Sequence, residues 1–166
     1  MEHQMRAKQE VYAHLDRMGI EYEAHDHPAV YTIEETMTQG LDKLGPIAKN
    51  LFLRDSKGLR HFLVMMRRDK KVDLKKLQAG LGSTSLRFAS EERLKKYLGL
   101  EKGAVGPFGI LNDEEKAVEV IVDQDLKGCP SLGVHPNDNT ATVWLAVSDL
   151  ERIFAERGNP VFHLAI

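Results

Sequence analysis

Lys49 and Asn50 stand side by side in a run of apolar residues, GPIAKNLFLRDSKG (45–58), and chemistry is first suggested there. Strand side chains alternate, so Ile47, Lys49, Leu51 and Leu53 share one face and Ala48, Asn50, Phe52 and Arg54 the other. Both faces carry large apolar groups. An unpaired ammonium is costly to bury, so Lys49 must reach water, an acid or an anionic ligand. Two readings follow: an edge-strand lysine that extends its head to solvent, or a lysine lining a cleft that receives a phosphate or carboxylate.

Two further segments carry candidate groups. In KGAVGPFG (102–109), Gly103, Gly106 and Gly109 allow close approach and positive φ, and Pro107 stiffens the turn. Such a loop either connects two elements or aims consecutive backbone amides, those of Gly103, Ala104, Val105 and Gly106, at an anion or developing oxyanion. In GVHPNDNTATVW (133–144), His135 precedes a proline in a loop entering a strand. A loop histidine so held can orient a substrate or move a proton, or is simply a turn residue. Cys129, six residues earlier, makes a thiol–imidazole pair conceivable, but a lone cysteine is more often small packing. His25 and His27 alone make no metal site, and CxxC and HExxH spacings are absent, so no metal or other cofactor is expected.

The elements that must position these groups follow from periodicity and caps. Residues 5–18 read as a helix stopped by Gly19, and EYEAHDH (21–27) as a short strand. Thr32 and Glu35 have capping-box spacing, which predicts a helix to about Leu44. Residues 46–54 and 60–66 form a hairpin around DSKG, and the unbroken apolarity of HFLVMM predicts a strand covered on both faces. Asp73 and Ser90 are N-caps for LKKLQAG and EERLKKYL, and Gly99 ends the second helix. LRFA, AVEVIVD, TATVWLAV and VFHLAI read as strands, and Ser148 with Glu151 predicts a second capping box opening a helix to about Arg157. The alternation predicts one α/β (α+β) domain over residues 1–166, a mixed sheet flanked by helices.

Composition limits the function classes. A length of 166 residues suits one domain with a real core, and one cysteine permits no internal disulfide, which fits a reducing cytoplasm. No apolar run approaches the ~18 residues of a membrane span, and the first residues show no secretory apolar stretch. The net charge of -2 speaks against a general nucleic-acid binder. Its distribution does not: residues 54–76 hold nine Lys/Arg against three Asp, and residues 113–125 hold six acids against Lys116. A local basic face still holds a phosphate backbone, since such contacts are screened within about 10 Å.

Taken together, KNLFLRDSKG (49–58), LRFASEERLKKYLGL (86–100), GAVGPFGILND (103–113) and HPNDNTAT (135–142), in that order, resemble the YbaK-like editing domains related to the insertion domain of bacterial prolyl-tRNA synthetase. The resemblance spans nearly the whole chain. It implies a single mixed, mostly antiparallel α/β domain acting in trans as a hydrolase of mischarged tRNA(Pro), most often carrying alanine. It assigns the family's lysine to Lys49 with Asn50 beside it, its GxxxP loop to Gly103–Pro107, and its loop histidine to His135. Departures are Lys102 in place of proline before the loop, Gly106 in place of Ser or Thr, and the NDN after Pro136. Lys49 is then expected to hold the terminal phosphate of the acceptor end, the amides of 103–106 to bind the ester carbonyl, and His135 and Asn50 to orient the aminoacyl group or a water. Ile33, Leu51 and Phe52 are expected in an apolar wall. Arg54, Arg67, Arg68, Lys70, Lys71 and Arg87 are expected on the acceptor stem. Partners implied are the tRNA acceptor end and prolyl-tRNA synthetase, with no DNA and no membrane. Alternatives are Cys-tRNA(Pro) or another mischarged tRNA as substrate, or a non-catalytic tRNA- or synthetase-binding module.

Overall fold

β2 (Ala48–Asp55) and β3 (His61–Arg67) form the predicted hairpin, paired antiparallel from Ala48↔Arg67 to Arg54↔His61. This is a computed structural model; it describes residues 2–166, with the side chains of residues 2–6 and of Ile33 outside the description. Asp55 fixes the turn, its carboxylate accepting from the amides of Leu59 and Arg60 at 2.8 and 3.1 Å. The hairpin is the middle of a five-stranded sheet, ordered β4–β2–β3–β5–β8. β4 (Leu86–Phe88) pairs antiparallel with β2, while β5 (Val118–Asp123) and β8 (Val161–Leu164) add in parallel. A second, antiparallel sheet of three strands, β1 (Glu23–Asp26), β7 (Ala141–Leu145) and β6 (Leu132–Val134), stands beside it.

The two sheets meet at one point. Ile47 bridges to Gly133, whose amide donates to the Pro46 carbonyl at 2.7 Å. A Cβ on Gly133 would stand 2.8 Å from Trp144 Nε1 and 3.2 Å from Ile47 Cγ1, so only glycine lets β6 approach the start of β2 beside the Trp144 ring.

β3 is buried on both faces, as its apolar run requires. Leu63 and Met65 join the larger core with α1 (Glu2–Arg17), α4 (Glu91–Leu98) and α5 (Val147–Arg157). Phe62, Val64 and Met66 face a smaller core with Leu53, Ile121 and Leu77 of α3 (Leu74–Leu81). Truncating one of these side chains to alanine costs about 2–5 kcal/mol.

Caps fall where the residue types put them, with one exception. Thr32, Asp73 and Ser90 accept from the amides of Glu35, Lys76 and Arg93, and Gly82 and Gly99 close α3 and α4 in the left-handed region. α2 (Ile33–Thr38) is shorter than predicted, because Gly40 at φ 74° turns the chain into a 3-10 turn over Leu41–Lys43. The second capping box does not form. α5 starts at Val147 behind Ala146, with no side-chain cap, because buried Val147 and Leu150 set its start. Ser148 is exposed, and Glu151 contacts His163 of β8 instead. β6 lies in what reads by sequence as loop.

Candidate active site

The sheet junction creates a cavity of about 270 Å3. The start of β2 contributes Lys49 and Asn50, the 103–106 loop Gly103 and Val105, and the end of β6 Val134 and His135. Three segments far apart in sequence, each singled out by residue type, therefore open on one space. Val30, Ile47, Val105 and Val134 supply apolar wall.

Lys49 Nζ donates to the Lys70 carbonyl at 3.1 Å. Among the described residues no carboxylate lies within 4 Å of it. An ammonium has three donors, so two remain for a ligand. The segment that carries the Lys70 carbonyl is held in turn by a buried carboxylate. Asp123, at the end of β5 and fully buried, accepts from Lys70 Nζ at 2.9 and 3.0 Å, from the Arg67 amide at 3.2 Å and from the Asp125 amide at 3.0 Å. Asn50 Oδ1, on the opposite face of β2, is buried with no donor among the described residues.

His135 Nδ1 faces the Ala141 carbonyl at 2.9 Å and must donate to it. The ring nitrogens sit among protein atoms; this burial first, and neighbouring His27 second, push its pKa below the usual histidine value, against the Ala141 bond that raises it. The neutral ring keeps a lone pair on Nε2, which has no protein donor among the described residues. The tautomer is thus fixed by the strand it leans on.

In the loop, Gly103 adopts φ 91°, and a Cβ there would stand 2.7 Å from Tyr31 Cδ1. Only glycine fits. The Ala104 amide is already spent on the Glu101 carbonyl at 3.1 Å, whereas those of Gly103, Val105 and Gly106 have no acceptor among the described residues. A Cβ on Gly106 would stand 3.1 Å from the His135 carbonyl, so the loop packs on the histidine segment. Pro107 is buried and opens a 3-10 turn to Asn112 that anchors the loop in the larger core.

Other expected residues lie elsewhere. Leu51 packs against the smaller core and Phe52 is buried in the larger one beside His61 and Tyr97; neither lines the cavity, because alternation carries them to the two cores. The side chain of Ile33 lies outside the described residues. The basic run faces the acidic run across parallel strands β3 and β5: Arg60 pairs with Glu119 at 2.8 Å and Lys70 with Asp123 and Asp125 at 2.9 and 2.6 Å, while within the basic run itself Arg67 pairs with Asp69 at 2.6 Å. Arg67 and Lys70 therefore present little uncompensated charge. Arg68 is half-buried with one guanidinium nitrogen unpartnered among the described residues, and Lys71 is exposed. Arg54, bonded to the carbonyls of Asp55 and Ser56, and exposed Arg87 oppose each other across β2 and β4, five residues and about 17 Å along the strand from Lys49.

Sequence reasoning missed Tyr31, Thr36 and Thr142 of the lining. Thr142 meets His27 Nε2 at 2.8 Å across the smaller sheet, and no local pattern signals that. Among the described residues no group of three or more His, Cys, Asp or Glu stands close enough to hold a metal ion, and no helix is long and apolar enough to cross a membrane.

The aminoacyl-tRNA editing domain family matches residues 27–153. The chain is 54% identical over 155 residues to the prolyl-tRNA editing protein ProX of Acetoanaerobium sticklandii, covering 93% of this chain and 94% of that one. It is 36% identical over 151 residues to prolyl-tRNA synthetase associated domain-containing protein 1 of Danio rerio, covering 90% and 82%. A crystal structure of a candidate trans-editing enzyme for prolyl tRNA synthetase superposes with a TM-score of 0.71 at 23% identity, over 96% of this chain and 97% of that one, so the fold is shared. With its matched segment spanning the cavity from Val30 to Thr142, the chain belongs to the aminoacyl-tRNA editing domain family.

Proposed function

We propose that this chain is a trans-editing deacylase that hydrolyses the aminoacyl ester of mischarged tRNA(Pro), with alanine as the preferred group, and that residues 1–166 work as one domain. The observation that carries this reading is the division of the cavity into a donor side and an acceptor side. Lys49 and the amides of Gly103 and Val105 offer hydrogens, while Asn50 Oδ1 and His135 Nε2 offer lone pairs. An aminoacyl ester at the end of an RNA needs both: acceptors for its α-ammonium group, and donors for a phosphate and for the oxyanion that develops at its carbonyl.

In the reaction a water oxygen adds to the ester carbonyl carbon. The tetrahedral oxyanion is stabilised by the loop amides, and losing one such donor costs ~10²–10³ in rate. The C–O bond to the ribose then breaks, and the ribose oxygen leaves with a proton. Lys49 holds the adjacent phosphate, and Asn50 and His135 hold the ammonium group, so rate comes from placement and electrostatics. Selectivity is a second sieve. A synthetase pocket built for proline cannot sterically exclude the smaller alanine, and a methylene is worth only ~1–3 kcal/mol. The small cavity walled by Val30, Ile47, Val105 and Val134 admits alanine and meets the proline ring with a clash.

The relatives' names support tRNA(Pro) as the substrate and an encounter with prolyl-tRNA synthetase; a cytoplasmic location follows from that substrate. Lys71 and Arg87, both exposed, are the proposed contacts to the acceptor stem. The test is hydrolysis of Ala-, Pro- and Cys-tRNA(Pro) in parallel. Rapid loss of alanine with proline retained is expected. Cysteine loss alone would keep the chemistry and change the sieve; binding without turnover on all three would make the chain a binding module.

A further inference from the structure

Tyr31 is 64% exposed, yet its place is fixed. Val30 is tied to Asn139 in both directions, its amide donating to the Asn139 carbonyl at 3.2 Å and its carbonyl accepting from Asn139 Nδ2 at 3.0 Å. The Tyr31 amide donates to Glu35 Oε2 at 3.4 Å, and Thr32 is the N-cap of α2. Ring carbon Cδ1 stands against the backbone of Gly103. The result is an aromatic ring at the wall of the cavity, backed by the loop and open to solvent. A phenol held this way loses little freedom when a flat ligand covers it. Its hydroxyl makes no hydrogen bond among the described residues, so the ring face is what it offers.

We propose that Tyr31 is a stacking platform for the unpaired terminal base of the RNA whose ester enters the cavity; this rests on the deacylase reading above. The cavity, at about 270 Å3, falls below the ~300–1,000 Å3 of sites that enclose drug-sized ligands. It takes the aminoacyl group and part of the ribose and leaves the base outside. The ester must lie against the loop amides, and Gly103 is both the first residue of that loop and the one touching Tyr31. The same ribose carries ester and base, so the base emerges beside the ring. Unpaired bases are held by stacking on aromatic side chains, and every base has a face to stack. The other ring of the lining, His135, is half-buried, and the alkyl and amide side chains offer no such surface.

The experiment is equilibrium binding, by fluorescence anisotropy, of an RNA hairpin carrying the acceptor stem and a CCA end, and of the same hairpin shortened to CC. Tyr31→Ala is expected to weaken binding of the CCA hairpin about 5- to 100-fold, while Tyr31→Phe keeps wild-type affinity. On the CC hairpin wild type and Tyr31→Ala are expected to bind alike, since the base the ring holds is gone. Equal affinity of wild type and Tyr31→Ala for the CCA hairpin would overturn the proposal. So would an equal loss on both hairpins, or a loss in Tyr31→Phe as large as in Tyr31→Ala. Because the ring is exposed, thermal melting of the variants is expected to match wild type. Failure of the deacylase reading would appear separately, as absent turnover of Ala-tRNA(Pro) by the wild type, while the binding measurement still decides the role of Tyr31.

Discussion

Gly103 shows how much one residue type decides. It combines φ 91° with a ring carbon 2.7 Å from where its Cβ would be, so any side chain moves either the loop or Tyr31. Gly103→Ala is expected to leave the fold intact and to lower kcat/KM for Ala-tRNA(Pro) by about 10²-fold, the scale of one lost oxyanion donor; unchanged kcat/KM would remove the loop from the reaction. At this scale much of the site was legible. Lys49 and Asn50 break an apolar strand, the glycine run demands close approach, and His135 precedes a proline, and all three segments face the cavity. Leu51 and Phe52 were not, because an alternating strand covered on both sides gives no local sign of which apolar residue faces a core and which a ligand. Tyr31 gave no sign either, since its exposure depends on Asn139 more than 100 residues away.

Elements bring in a second constraint. The β3–α3 turn holds the carbonyl that Lys49 uses, and Asp123 of β5 fixes that turn through the Arg67 amide and the Lys70 ammonium. Asp123 is fully buried, and removing one member of a buried, hydrogen-bonded ion pair costs about 3–5 kcal/mol. Asp123→Asn is expected to lose stability of that order in urea unfolding and to lower deacylation at temperatures where it remains folded. Stability within about 0.5 kcal/mol of wild type would mean the pair contributes little. The N-caps Thr32, Asp73 and Ser90 were readable because a cap is a local bond. Ser148 misled because packing of Val147 and Leu150 set the start of α5 ahead of any cap. β6 was unreadable, being three residues that exist as a strand only through pairing with β7.

For the whole molecule, the two charge runs find each other. Nine basic and six acidic residues read as one basic and one acidic region in the sequence, but parallel pairing of β3 with β5 sets Arg60 on Glu119 and Lys70 on Asp123. Parallel neighbours are not adjacent in sequence, so no local pattern predicts this cancellation. Three histidines set the response to acid. His14, half-buried in α1, has its pKa lowered chiefly by burial. His61, buried at 1% exposure with Arg93 Nη1 3.0 Å from its Nε2, and His135 both have pKa values lowered, chiefly by burial. The unfolded chain therefore binds protons first as pH falls below the unfolded histidine value of about 6.5, and native stability declines from there through the lowered folded values. Above it both states are neutral at these rings and the contribution is flat. Thermal melting is expected to be level above about pH 6.5 and to fall below it. A melting temperature that stays level from about pH 7 to 5 would contradict the burial of neutral rings.

The most direct test of the central claim is single-turnover hydrolysis of Ala-tRNA(Pro) by wild type and by Lys49→Ala. The Lys49 ammonium is expected to hold the phosphate that places the ester, so the variant should lose at least about 10²-fold in rate and, having lost one phosphate contact, bind uncharged tRNA more weakly. A variant that deacylates at the wild-type rate would contradict the account and leave Lys49 a structural residue tied to the Lys70 carbonyl.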